Sequence, residues 1–168
     1  MEIVPRPSVA NLTSLEAGSL FEGEVDNNIR FCVRTQSADE PDAVGSAAIL
    51  GPFENGDGNP WLWKPTESGP VLNYGKAWGC EPDMAPEHVS FGSVETAATT
   101  GSLLLVREAN FLQLEDREHG RPIYLNLSTG MLTSVAPSGP TAAIGRWDIF
   151  LTTDQRAEPL RLLTVNAR

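Results

Sequence analysis

Thirteen prolines and fifteen glycines punctuate this chain every few residues, and that spacing limits it to short elements. No run of twelve or more residues between them carries a helical period over good helix formers. The intervening segments instead alternate apolar and polar residues or are rich in β-branched and aromatic side chains, which is the pattern of many short strands joined by turns. The expected fold class is therefore all-β. At 168 residues the chain fits one domain, 1–168, long enough to bury a core without staples.

Several strands are placed by their turns. Ser19–Val25 and Ile29–Arg34 flank Asp26-Asn27-Asn28, residues that tolerate left-handed backbone and so suit a hairpin. In the second run Ile29, Phe31 and Val33 should share one face, and Arg30, Cys32 and Arg34 the other. Pro122–Leu127 and Met131–Val135 flank Ser128-Thr129-Gly130, with Gly130 suited to the left-handed bulge position of a three-residue loop. Arg146–Leu151 reads as a further strand that buries Trp147 and Ile149 on one face, and 160–165 as the last strand. The segment Ser93–Thr100 is small and polar and reads as a loop or one helical turn, and Gln36–Asp42 as a solvated loop.

A unit of just over forty residues recurs. GNPWLWK, GSLLLVR and GRWDIFL each join a glycine to alternating large apolar residues, and their first apolar residues, Trp61, Leu103 and Trp147, lie 42 and 44 residues apart. Upstream of each stands another alternating pair, Phe31/Val33, Leu72/Tyr74 and Leu112/Leu114, with first members 41 and 40 residues apart. The last unit, NFLQLEDREHGRPIYLNLSTGMLTSVAPSGPTAAIGRWDIFL, reads as strand, turn, strand, tight turn, strand, loop and closing aromatic strand. It resembles one lobe of a β-trefoil of the ricin-B and fascin-like kind. YLNLSTGMLTS resembles the middle hairpin of such a lobe, and GRWDIFL the closing strand whose tryptophan plugs the barrel base. The resemblance implies a trefoil-like barrel of three units, 18–65, 66–107 and 108–153. The Gln-x-Trp triplet of the ricin type is absent from all three closing strands, and Pro82 and Pro86 interrupt the middle unit. A β-sandwich or another small barrel is the alternative reading of the same strand pattern.

Charge narrows the partners. The net charge is −10, and residues 1–100 carry all of it, with 15 carboxylates against 5 Lys/Arg, whereas residues 101–168 hold 7 of each. Such a surface repels phosphate backbones and anionic lipid, so neither nucleic acid nor a membrane surface is an expected partner. The longest aliphatic run is Leu103–Val106, far short of a transmembrane span. The N-terminus lacks a basic start followed by an apolar run, so no signal peptide is read and the cytoplasm is the default compartment. In that setting Cys32 and Cys80 are expected as two free thiols.

No motif carries catalysis or a cofactor. Cys80-Glu81-Pro82-Asp83 through His88 gathers metal-ligating side chains without a ligand spacing. Phe53–Asn59 fails the register of a calcium loop, because Phe53 and Lys64 fall where carboxylates are needed. His88-Val89-Ser90-Phe91-Gly92 lacks the first glycine of a nucleophile elbow. Glu115, Asp116, Glu118 and His119 share one turn, read as an exposed charged loop. No catalytic residue, metal site or cofactor is assigned, and the expectation is a non-catalytic recognition module rather than an enzyme. Trp61 and Trp63 share a face and read as core. Trp78 and Tyr74 sit among glycines, and Tyr124 and Asn126 should lie on the polar face of their strand. Tyr74, Trp78, Tyr124 and Asn126 are thus the candidate ligand-binding residues, for a glycan, which the resemblance favours, or for a protein partner. Alternatives are a structural or assembly subunit, such as a shell or virion component in a homo-oligomer, and a proteinase-inhibitor-like β domain.

Overall fold

The computed structural model describes residues 7–37, 45–53, 59–107, 109–139, 141–151 and 160–167. The fold is all-β. The strands among these residues are β1 (Ser8–Asn11), β2 (Leu20–Val25), β3 (Asn28–Arg34), β4 (Gln36–Ser37), β5 (Ala47–Gly51), β6 (Trp61–Trp63), β7 (Pro70–Gly75), β8 (Trp78–Pro82), β9 (Val89–Gly92), β10 (Leu103–Val106), β11 (Ala109–Asp116), β12 (Arg121–Asn126), β13 (Met131–Thr133), β14 (Thr141–Ile144), β15 (Arg146–Leu151) and β16 (Leu160–Asn166). One helical turn, α1 (Val94–Ala97), lies within Ser93–Thr100. Among the described residues no helix is long and apolar enough to cross a membrane.

Turn chemistry sets the local register as expected. Asp26 and Asn27 both take positive φ, 51° and 61°, and Val25 pairs directly with Asn28 across this two-residue turn. Gly130 takes φ +73°, and an added Cβ would stand 2.2 Å from the Gly18 nitrogen. Only glycine permits that approach of two backbones, which lets Gln36 N–H donate to the Gly130 carbonyl at 2.9 Å.

The strands form a large sheet and a small one. The main path of the large sheet runs β1-β7-β2-β3-β5-β6-β11-β10-β14-β9, with β12, β13 and β4 branching from β11. The small sheet is β16-β15-β8. These ladders do not close into a barrel. The strand runs β3-β5-β6 and β11-β12-β13 are each antiparallel meanders. The middle unit does not repeat this: β7 pairs with β1 and β2, while β8 leaves for the small sheet.

Successive residues of the inner strands enter two different cores. Leu20, Val33, Ala48, Leu50 and Leu62 join the main cluster, which also holds Leu112, Leu114, Leu125, Ile144, Trp147 and Ile149. Their chain neighbours Phe21, Cys32, Ala47 and Ile49 join a second cluster with Leu12, Leu15, Val25 and Val71, against which Trp61 and Trp63 pack. All five residues of β5 are buried, the mark of a strand covered on both faces. Ile29 departs from the expected alternation: it is 62% exposed, opposite exposed Glu24, on the face that Leu20 and Val33 turn to the main core but past the end of that core. The charged stretch after Ser37 and most of Phe53–Asn59 lie outside the described residues.

Trp147 and Ile149 are both buried on the main-core side, as the strand pattern requires. The Trp147 indole N–H donates to the Gly101 carbonyl at 2.9 Å, a bond across 46 residues of chain. Trp147→Ala is expected to cost about 3–5 kcal/mol in urea unfolding, as for truncation of other large core aromatics. A loss below about 1 kcal/mol, the range of surface substitutions, would contradict this role.

Candidate functional site

Each of the four residues singled out from sequence has a structural duty. Tyr74 is half-buried on β7, and its hydroxyl donates to Glu22 Oε2 at 2.9 Å. Trp78 packs against the main core and donates its indole N–H to the Gly18 carbonyl at 2.9 Å. Asn126 folds its Oδ1 over the following turn, accepting from the backbone N–H groups of Ser128 and Thr129 at 3.0 and 3.2 Å. Tyr124 is not on a solvent face. It is buried in a third small cluster with Val94, Leu104 and Ala143. β12 alternates as its sequence indicates, but α1 lays Val94 and Ala97 over its second face.

The charged turn after β11 builds a cleft instead. Asp116 ends β11, Arg121 begins β12, and the two are cross-strand partners around the turn at 117–120. The turn bends the chain back on the Asp116 carbonyl, which accepts from Gly120 N–H at 2.8 Å. This brings His119 Nδ1 to 2.8 Å from Asp116 Oδ2, while Arg121 Nε stands 3.7 Å from the same oxygen. The Asp116 side chain is only 5% exposed, against 48% for His119. Burial alone would raise its carboxyl. The His119 hydrogen bond and charge, with Lys64 nearby, outweigh that and hold it below the ordinary carboxylate range.

The cleft above this pair has a volume of about 190 Å³. Its floor is aliphatic, from Leu62, Ile123 and Leu132 of the main core. Its rim is polar: Ser37, Ser46, Thr133 and Ser134 contribute hydroxyls, and Lys64 and Arg121 contribute cations. Lys64 Nζ pairs with Glu118 at 3.2 Å, and Arg117 stacks over the Trp61 ring at 4.2 Å from its centroid. A second cleft adjoins it through Ser37 and Ser46 and is lined by Arg34, Glu16 and Lys76. Lys64 and Lys76, the two lysines of the chain, thus line adjoining clefts. Behind them Thr35 and Ser46 are tied by a buried hydroxyl pair at 2.9 Å.

The arrangement offers a fixed anionic acceptor, several donors and an apolar floor within one small space. Asp116, Glu118 and His119 also place three metal-ligating atoms within 4.8 Å of one another. Each is already engaged, Glu118 by Lys64 and Asp116 by His119 and Arg121, so a cation would have to displace protein partners. In the Cys80–His88 segment His88 Nε2 stands 3.6 Å from Asp83, but its described residues bring no three ligand atoms together. Cys32 and Cys80 are both free. Burial raises both thiols, Cys80 to about 12, so neither is poised as a nucleophile. Sequence reading missed the cleft because it treated the turn as solvated. The available signal was Asp116-x-x-His119-Gly120 followed by Arg121, a carboxylate with cationic partners within reach of one tight turn.

The two tyrosines test these placements directly. Burial, then the hydrogen bond to and charge of Glu22, push the Tyr74 phenol up to about 12. Burial and the Glu95 charge raise Tyr124 as well. Raised phenols favour the neutral form in the fold, so their stabilising contribution holds at neutral pH and is lost as pH rises past about 10, the ordinary phenol value. Ultraviolet titration is expected to show less than half of the phenolate signal at pH 10 while the fold persists. Half of the phenolate signal appearing with a midpoint near about 10 in the folded protein would contradict the burial of one ring.

Comparison with protein-family models, with curated proteins and with solved structures returns no match for this chain.

Proposed function

We propose that this protein is a non-catalytic, lectin-like recognition module whose cleft over Asp116, His119 and Arg121 holds a neutral polyhydroxylated ligand of the glycan class. The observation that supports this most is the buried Asp116 carboxylate, ringed by donors at the mouth of a cleft with an aliphatic floor. A sugar presents adjacent hydroxyls that donate and accept at once, and a C–H face that stacks on apolar surface. An ionised acceptor gives the stronger charge-assisted hydrogen bonds. The mixture of carboxylates and cations around the cleft favours a neutral ligand over an anionic one. The trefoil-like division into 18–65, 66–107 and 108–153 belongs to the same proposal. Its support is the pair of matching meanders β3-β5-β6 and β11-β12-β13 and the buried Trp147. A structural or assembly subunit is the second reading, favoured by large apolar side chains in the open, Phe91 and Val135.

A glycan array followed by calorimetry tests the first reading. At least one neutral glycan is expected to bind, and Asp116→Asn to weaken it at least tenfold, about 1.4 kcal/mol, with the fold retained. An array without binders, or a binder indifferent to both Asp116→Asn and His119→Ala, would contradict it.

A further inference from the structure

Strand β9 ends the main path of the large sheet. It bonds to β14 on one side, and its other side is unpaired among the described residues. Natural sheets blunt such an edge with charge, proline or a bulge, because its free N–H and C=O groups template a further strand. β9 is short, at four residues, but it carries no charged residue, proline or bulge. Its sequence is Val89-Ser90-Phe91-Gly92, and its register with β14 runs unbroken from Val89↔Ile144 to Gly92↔Thr141.

The face beside this edge is apolar and stops abruptly. Phe91 pairs with Ala142, and Ala142 pairs with Leu105. Directly opposed residues share a sheet face, so Leu105, Ala142 and Phe91 form one row across three strands. The row ends at Phe91, 80% exposed, above a shallow cleft shared with Gly92, Thr141 and Gly139. Exposed carboxylates bracket the uncharged strand: Glu87 two residues before it and Glu95 three residues after it.

We propose that the β9 edge receives an extended segment of a partner protein as an added antiparallel strand, with an apolar side chain beside Phe91 and lysine or arginine at both ends of the segment. Backbone hydrogen bonds supply the affinity of such additions, and alternate side chains supply the selectivity. Charge separates this partner from a second copy. Two β9 strands paired antiparallel would gather both copies' Glu87 and Glu95 around one short interface, between molecules of net charge −10 each. A segment with basic ends meets the same carboxylates with opposite sign.

The test uses three capped synthetic peptides and the isotope-labelled full chain. The first is Lys-Thr-Val-Thr-Val-Thr-Lys, the second carries glutamate at both ends, and the third is the first with its central amides N-methylated. The expected result is amide shifts confined to β9 and its neighbours, with the lysine-ended peptide binding at least tenfold more tightly than the glutamate-ended one. N-methylation should abolish binding, and Phe91→Ala should weaken it while leaving the fold intact. The proposal is overturned by equal binding of the two charged peptides, or by no shift in β9 at the solubility limit. It is also overturned if the protein alone doubles its mass with concentration in sedimentation and Phe91→Ala abolishes the doubling, which would assign the edge to a second copy.

Discussion

The two-sided burial of β2, β3 and β5 is the constraint on which the rest of the structure depends. Leu20 and Phe21, Cys32 and Val33, and Ala47 through Leu50 are all buried, with successive residues sent to opposite cores. Burial of each large apolar side chain contributes roughly 1.5–3 kcal/mol, so these few strands hold two clusters together through one layer of backbone. A one-residue slip of β5 would exchange the clusters and put Ala48 in the place of Ile49 or, in the other direction, Gly51 in the place of Leu50. Small Ala47 and Ala48 admit the bulkier Trp63 and Leu62 opposite them on β6.

That layer also positions the cleft. β6 joins β5 on one side and touches β11 through the parallel contact of Trp61 with Glu115. Leu62 therefore presents to the main core between two fixed neighbours and forms part of the cleft floor. Thr35 and Ser46, at the ends of β3 and β5, fix the opposite wall through their buried hydroxyls. Asp116 and His119 then need only the turn between β11 and β12 to close the site, and the cleft draws its rigidity from the core beneath it.

What was legible in the sequence is what short-range chemistry decides. Asp26-Asn27-Asn28 announces a hairpin turn, Gly130 a left-handed loop residue, and Arg146–Leu151 a strand with Trp147 inside, and the structure has all three. Long-range pairing left no local trace. Nothing in Pro70–Gly75 indicates that it lies between β1 and β2, nor in Trp78–Pro82 that it joins β15. Tyr124 went astray for the same reason, since its cover comes from α1, about thirty residues upstream. Asp116 was misread because a charge cluster at a turn usually faces water, and only the packing of β6 and β13 beside it makes a cleft there.

Residue-resolved hydrogen exchange under native conditions tests the two-sided layer most directly. Amides of buried, doubly covered strands exchange only through global unfolding, whereas edges open locally. The bonded amides of Leu20, Phe21, Cys32, Val33 and Ala47–Leu50 are predicted to be the last to exchange, sharing one opening free energy equal to that of global unfolding. Exchange of Ala47–Leu50 as fast as that of the edge strands Ser8–Asn11 and Val89–Gly92 would contradict the account.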